Sequence, residues 1–572
     1  MQKELKNLLK LSVAFIAIIF FFSIARLYFY FSNQDIFDTN ADFNLLNAFT
    51  NGFVYDLKFV FAINSIIIVL FFLPFRFRNT IFWQFIVKLF FTILNSSLVF
   101  LSFIDSKYYH IVGEHIKFFN IPDKSLYEQF ISSLNKIDFQ FYHSWDIVLV
   151  GLFTFIVLWS SFPSINKMYF ERSKANLYFR FVISSLSIFF LWSSINEAKD
   201  KSGDWQVDLF RRTNHPTARL AINSPYYMLR FYYSDKLANN SYFDEKELRM
   251  LFSSEKNYFS RKPNKKNIII INYSTTIENW KKLENNVKKL GSNYYISDNF
   301  SAQIKNVPKQ MDELLLSFPA FSKSPLINSP YAFNQFQSLV ELLKQNGYYT
   351  VLAINGSNKN QYKPYHHFYG FDKLVSRKQN HKLLATFEKE VKNTTEDAFF
   401  VFFQIDHGIN EILTYINENE LNKNTLVIAN IQVSEKINDL QFGKTLYLMP
   451  DTLNKYFVSP RTQNLDIYPS VVDYLNLNEK FIAFGKSVFY KTKKREVFQY
   501  TGQDYVILED SLLLRYNGQS TKWIIDYKND PDEFFDLQDS LPVQTVQLKN
   551  KIRAIIQKNN EMLIQNKMTI SD

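Results

Sequence analysis

The sequence predicts an α-helical membrane domain of five transmembrane helices, followed by an extracytoplasmic α/β domain on a mostly parallel sheet. Three observations predict it. Long apolar runs crowd the first part of the chain, up to about residue 196. The loops between those runs differ in charge as membrane topology requires. From residue 263 onward, short β-branched and aromatic runs alternate with amphipathic helical stretches. A chain of 572 residues suggests more than one domain. The divisions fall at 1–196 for the five spans, 197–262 for a helical, Arg-containing linker, and 263–572 for the α/β domain with its C-terminal helix.

A span needs about 20 apolar residues. Runs of that kind lie near 8–32, 53–75, 81–104, 145–163 and 177–196. The first is too long for a signal peptide, lacks a small-residue cleavage site, and is followed by four more. Lys3, Lys6 and Lys10 precede the first span, Arg76 and Arg78 follow the second, and Lys167, Arg172 and Lys174 follow the fourth. The first loop carries Asp35, Asp38 and Asp42, and the third carries Asp105, Glu114, Asp123, Glu128 and Asp138. Basic loops stay in the cytoplasm, so the N-terminus lies on the cytoplasmic side of the cytoplasmic (inner) membrane and the part after the fifth span lies on the other, extracytoplasmic side. Asp56 and Lys58, at the outer end of the second span, read as an interfacial pair or as part of a lipid-facing cavity.

The linker contains DLFRRTNHPTARLAINSPYYMLRFYYS, which places Arg211, Arg212 and Arg219 near the level of lipid phosphates. Arginine suits bidentate phosphate contact, which makes the three candidate headgroup ligands for a phospholipid or glycolipid. Snorkelling along the interface is the competing explanation. Beyond it, NIIIIN (267–272) reads as a fully buried strand. FNQFQSLVELLKQNGY reads as a helix stopped by Gly347. YYTVLAIN (348–355), AFFVFFQ (398–404) and NTLVIAN (424–430) are further strands, and GINEILTYINENEL (408–421) is a helix between the last two. Residues 543–566 put Leu548, Ile552, Ile555, Ile556 and Leu563 on one helical stripe.

Composition excludes some chemistry. There is no cysteine, so disulfides, thiolate metal sites and cysteine nucleophiles are out. The net charge of +11 has its explanation in cytoplasmic loops and anionic headgroups. The basic stretches lack the regular aromatic interleaving that nucleic acid calls for. Asp406-His407 reads either as a displaced metal site or as a helix N-cap. His366-His367, in PYHHFYGFD, reads either as a zinc site or as packing in an aromatic loop.

Several strings resemble the lipoteichoic-acid-synthase and phosphoglycerol-transferase branch of the sulfatase/alkaline-phosphatase superfamily. NGFVYDLKF (51–59) resembles the entry to its second span, and NTLVIAN the strand that carries its metal-binding Asp-His pair. NLDIYPSVVDYLNL (464–477), FIAFGKSVF (481–489) and LKNKIRAIIQKNNEMLIQNKM (548–568) resemble its sheet-flanking helix, its FGxS turn and its C-terminal helix. The resemblance covers nearly the whole chain and implies a divalent cation, Mn or Mg. An acid after the first strand, a Thr or Ser nucleophile and the Asp-His pair would hold it.

This chain departs from that pattern. Ser274 stands where the acid is expected, and the first carboxylate afterwards is Glu278. Val307 falls near the nucleophile position, with Ser301 reachable only by a shift. Gln432 and Val433 replace the Asp-His pair. The Trp-Gly-Ile substrate region is missing after GFD (370–372). Groups that act as one catalytic unit fail together. The expectation is a degenerate, non-catalytic relative that needs no metal. It would act as a lipid-binding, regulatory or scaffold component of the cell envelope with an envelope protein partner. The alternatives are an active transferase with relocated residues, drawing on Ser301, Asp406, His407 and Glu278, and a structural subunit of a larger envelope complex.

Overall fold

The computed structural model describes residues 2–38, 42–117, 145–163, 174–200, 202–258, 263–289, 293–300, 306–356, 359–437, 440–450, 461–490, 495–530 and 535–570. It divides into two compact units, Met1–Lys236 and Leu237–Asp572. Lys167, Arg172, Asp123, Glu128, Asp138 and Ser301 lie outside the described residues, as do the side chains of Lys3, Arg76 and Lys174.

The first unit is helical: α1 Gln2–Ser32, α2 Gln34–Asp38, α3 Leu45–Phe71, α4 Ile81–Val112, α5 Trp145–Ser161, α6 Lys174–Lys199, α7 Asp204–Phe210, α8 His215–Ala221 and α9 Ser224–Tyr233. Four stretches, Glu4–Ser32, Leu45–Phe71, Ile81–Val112 and Asn176–Lys199, are long and apolar enough to cross a membrane. The fifth apolar helix, α5, is shorter at 17 residues, about 26 Å at 1.5 Å per residue.

Buried charge organises this unit. Arg26 on α1 forms a bidentate pair with Asp56 on α3 at 2.8 and 2.9 Å, and both residues are at most 5% exposed. The same guanidinium donates to the carbonyls of Leu220 and Ala221, and Asn223 donates to Asp56. Asp56 is therefore not an interfacial partner of the exposed Lys58 but half of an internal clamp on the C-terminal end of α8. Gly52 makes room for it, since a Cβ there would overlap Arg26. Arg78, expected in a solvated basic loop, is instead fully buried against Glu4, which Arg180 also contacts. On α3 and α4, Asn64 and Asn95 exchange hydrogen bonds at 2.9 and 2.8 Å.

The second unit begins with α10 Glu245–Leu251 and is built on fourteen strands among the described residues. Eight of them form the central sheet: β2 Asn267–Thr275, β3 Asn293–Phe300, β4 Tyr348–Ile354, β5 Lys373–Ser376, β6 Ala398–Ile405, β7 Thr425–Ile437, β8 Leu440–Met449 and β9 Arg461–Thr462. Their order is β5-β4-β6-β2-β7-β8-β3-β9. The first five are mutually parallel, while β8 runs antiparallel to both β7 and β3. A two-stranded pair joins β1 Glu255–Asn257 to β10 Lys480–Ile482. A four-stranded antiparallel meander follows: β11 Glu496–Tyr500, β12 Tyr505–Glu509, β13 Leu512–Tyr516 and β14 Thr521–Asp526.

Helices cover the sheet: α11 Ile277–Lys289, α12 Val307–Leu316, α13 Leu339–Gln345, α14 Lys359–Tyr369, α15 Asn380–Lys392, α16 Ile409–Glu418, α17 Ile467–Leu475 and α18 Pro542–Ile564. Side chains alternate across a strand. Ile269 and Ile271 of β2, with Val427, Ala429 and Ile431 of β7, join the core under α11, α15 and α16. Ile268, Ile270 and Asn272 face the other way. Helix α13 starts later than the apolar pattern suggests, because Ser338 makes a capping box with Glu341. The FGxS turn is structural. A Cβ on Gly485 would overlap the Leu465 carbonyl, and the Gly485 amide donates to Ser317 at 3.0 Å.

Candidate functional site

The end of β2 and the neighbouring part of β7, just before its register with β8 shifts after Gln432, carry the positions where the resemblance implies metal ligands. In the parallel register Ser274 lies beside Gln432, and Thr275 beside Val433. The structure thus brings Ser274, Gln432 and Val433 together. Ser274 is exposed, whereas Gln432 and Val433 are 0% and 4% exposed. Neither amide atom of Gln432 has a hydrogen-bond partner among the described residues. Val307 opens α12, in a first turn capped by Asn306.

A divalent cation needs hard, anionic oxygens or imidazole to offset its desolvation. A hydroxyl, a neutral amide and an isopropyl group do not fit it, and no group of three ligating side chains occurs among the described residues.

Behind these positions lies a buried polar ring that sequence reasoning missed. Asn272 donates to Gln310 at 2.7 Å and to Gln404 at 2.8 Å, and accepts from Asn430 at 2.9 Å. Asn299 donates to Asn430 at 2.6 Å and to Asn464 at 2.9 Å. Asn464 in turn donates to Glu313 at 2.8 Å. Glu313 and Gln310 share α12, which closes the ring. All seven residues are at most 7% exposed. In the register Asn272 sits directly between Gln404 and Asn430, so three parallel strands present amides at one level.

The carboxyls of Glu313 and its neighbour Asp312 are both pushed up to about 7, chiefly by burial. Asp312 accepts from the Leu326 amide at 2.8 Å and from the Tyr369 hydroxyl at 2.7 Å. This arrangement binds a helix to four strands through neutral amides. It presents no nucleophile beside a base.

The other sequence candidates separate. Asp406 and His407 are exposed on the turn after β6. Asp406 is not the N-cap of α16, because Gly408 takes that place in the left-handed region. Glu278 is exposed in the first turn of α11. His366 and His367 sit in helix α14 rather than in a loop, their rings 5.0 Å apart, and burial drives His366 down to about 3.

In the helical unit, Arg211 and Arg212 have half-exposed side chains that share Asp208 at 3.1 and 3.0 Å. Arg219 does not join them. It is 8% exposed, and its carbonyl faces His115 at 3.0 Å.

No protein-family model and no curated protein matches the chain. Among solved structures, an alkaline phosphatase superfamily protein from Vibrio parahaemolyticus is similar at 13% identity and a TM-score of 0.46, over 58% of this chain and 99% of that one. The lipoteichoic acid synthase LtaP from Listeria monocytogenes is similar at 13% identity and a TM-score of 0.45, over 56% of this chain and 98% of that one. The phosphonate monoester hydrolase of Agrobacterium radiobacter is similar at 9% identity and a TM-score of 0.37, over 51% of this chain and 96% of that one.

Proposed function

We propose that this chain is a membrane-anchored, sulfatase-like protein that does not carry out metal-dependent group transfer. It acts as a lipid-binding, regulatory or scaffold component of the cell envelope. One observation carries the reading. The strand positions that the resemblance marks as ligands come together in register, and they bear Ser274, Gln432 and Val433. The reading places the chain in the cytoplasmic membrane with its N-terminus inside, on the loop charges alone.

The lipid contact rests on Arg211 and Arg212. Two guanidinium groups share one carboxylate, Asp208, which leaves one net positive charge at an exposed helix end. That charge suits a headgroup phosphate. Buried Arg219 belongs to the internal packing instead. The test is native mass spectrometry of the full chain released from nanodiscs containing anionic phospholipid. Arg211→Ala with Arg212→Ala is expected to lose most retained lipid. Unchanged retention would remove lipid binding at these residues from the account.

A further inference from the structure

A cavity of about 430 Å³ opens within the α/β unit, beside the ends of β7 and β8. That volume lies in the range of small-molecule sites, about 300–1,000 Å³. Its floor is apolar, for Trp280, Phe300 and Val433 are 6%, 2% and 4% exposed. One wall is the stacked pair Phe442 and Tyr527, with ring centroids 5.5 Å apart.

The rim is charged and comes from four elements. Helix α11 supplies Lys281 and Glu284, β3 supplies Asp298, β8 supplies Lys444, and β9 supplies Arg461. Among the described lining residues, three cations stand against two carboxylates, a net charge of +1. Lys444 pairs with Asp298, and Arg461 donates to the Asp510 carbonyl at 2.7 Å. Lys281 is exposed and makes no ion pair among the described residues.

We propose that this cavity binds a singly charged acidic sugar, its carboxylate at Lys281 and Arg461 and its ring against the aromatic floor. Flat aromatic faces suit the apolar face of a pyranose, and a guanidinium suits a carboxylate. The charge favours a monoanion. A carboxylate neutralises a rim of +1, whereas a phosphate monoester, at about −1.5 to −2, leaves excess negative charge beside Glu284 and Asp298. The proposal rests on the reading that this domain binds rather than transfers, because Val433 lies in the cavity floor where transfer would need an imidazole.

The experiment is ligand-observed saturation-transfer NMR on the full chain in nanodiscs, titrated with sodium glucuronate, glucose and glucose 6-phosphate. Glucuronate is expected to saturate and to bind at least tenfold more tightly than either comparison sugar. Lys281→Glu, at an exposed helix position, is expected to weaken glucuronate at least tenfold, while Lys281→Arg keeps it. No saturable glucuronate signal overturns the proposal, as does indifference to Lys281→Glu or preference for the phosphate ester. Turnover of a phospholipid headgroup donor is a separate readout. Its appearance would overturn the non-catalytic reading, whereas absent turnover with absent glucuronate binding overturns this proposal alone.

Discussion

Asn272→Leu tests whether the buried amide ring holds the central sheet to α12. The substitution keeps the side-chain volume close and removes three hydrogen bonds of 2.7, 2.8 and 2.9 Å. It strands the carbonyl oxygens of Gln310 and Gln404 and the amide of Asn430, all at most 4% exposed. Each stranded buried group costs about 1–3 kcal/mol. The two glutamines face the same vacated space and can turn toward each other, which recovers part of that cost. The expected loss is about 3–5 kcal/mol, a large fraction of a domain stability of about 5–15 kcal/mol. Hydrogen exchange of the full chain in nanodiscs, read on peptides covering β2, β6 and β7, measures it. At about 1.4 kcal/mol per decade, exchange should accelerate by about two to four decades. Acceleration of less than tenfold would refute the reasoning, because the ring would then contribute no more than an exposed amide.

Two further outcomes follow from buried charge. The folded carboxyl of Glu313 titrates at about 7, above its unfolded value. The folded domain therefore keeps a proton that the unfolded chain releases. Its stabilising contribution is full below about pH 4 and is lost as pH rises toward 7. Urea unfolding of the wild type and Glu313→Gln between pH 4.5 and 7 should show the wild type losing stability relative to the variant, by up to about 1.4 kcal/mol per pH unit. Parallel pH dependences would contradict this. In the helical unit, Arg26→Ala leaves Asp56 buried without its cation, a change worth about 3–5 kcal/mol. Arg26→Lys should not restore it, since one ammonium cannot reproduce the bidentate pair and both carbonyl contacts. Thermal melting in nanodiscs checks both, and a wild-type melting point for Arg26→Lys would count against the clamp.

The parallel half of the sheet was legible because β2, β4, β6 and β7 are continuous apolar runs between turn signals. The antiparallel half was not. Strand β8 interrupts its apolar residues with Gly443, Lys444 and Thr445, and β3 carries Ser297, Asp298 and Asn299. The meander from 496 to 526 was not read either: its short strands are apolar without alternation, with Gly502 and Gly518 at positive φ in two of its turns.

Ser274, Gln432 and Val433 were legible because a ligand set follows its strands. The ring was not, since residues 272, 299, 310, 404, 430 and 464 come from six elements and meet only in the fold. Asp56 drew attention to Lys58, its neighbour in sequence. Its partner is Arg26, one span away, and α3 crosses it at a glycine.

A domain that does not transfer through a metal holds no divalent cation at the cluster of Ser274, Gln432 and Val433. The most direct measurement is elemental mass spectrometry of the full chain in nanodiscs after incubation with manganese and desalting. The account predicts manganese far below one ion per chain, unchanged by Gln432→Ala. About one ion per chain, lost in Gln432→Ala, would contradict it and make this site a working metal centre.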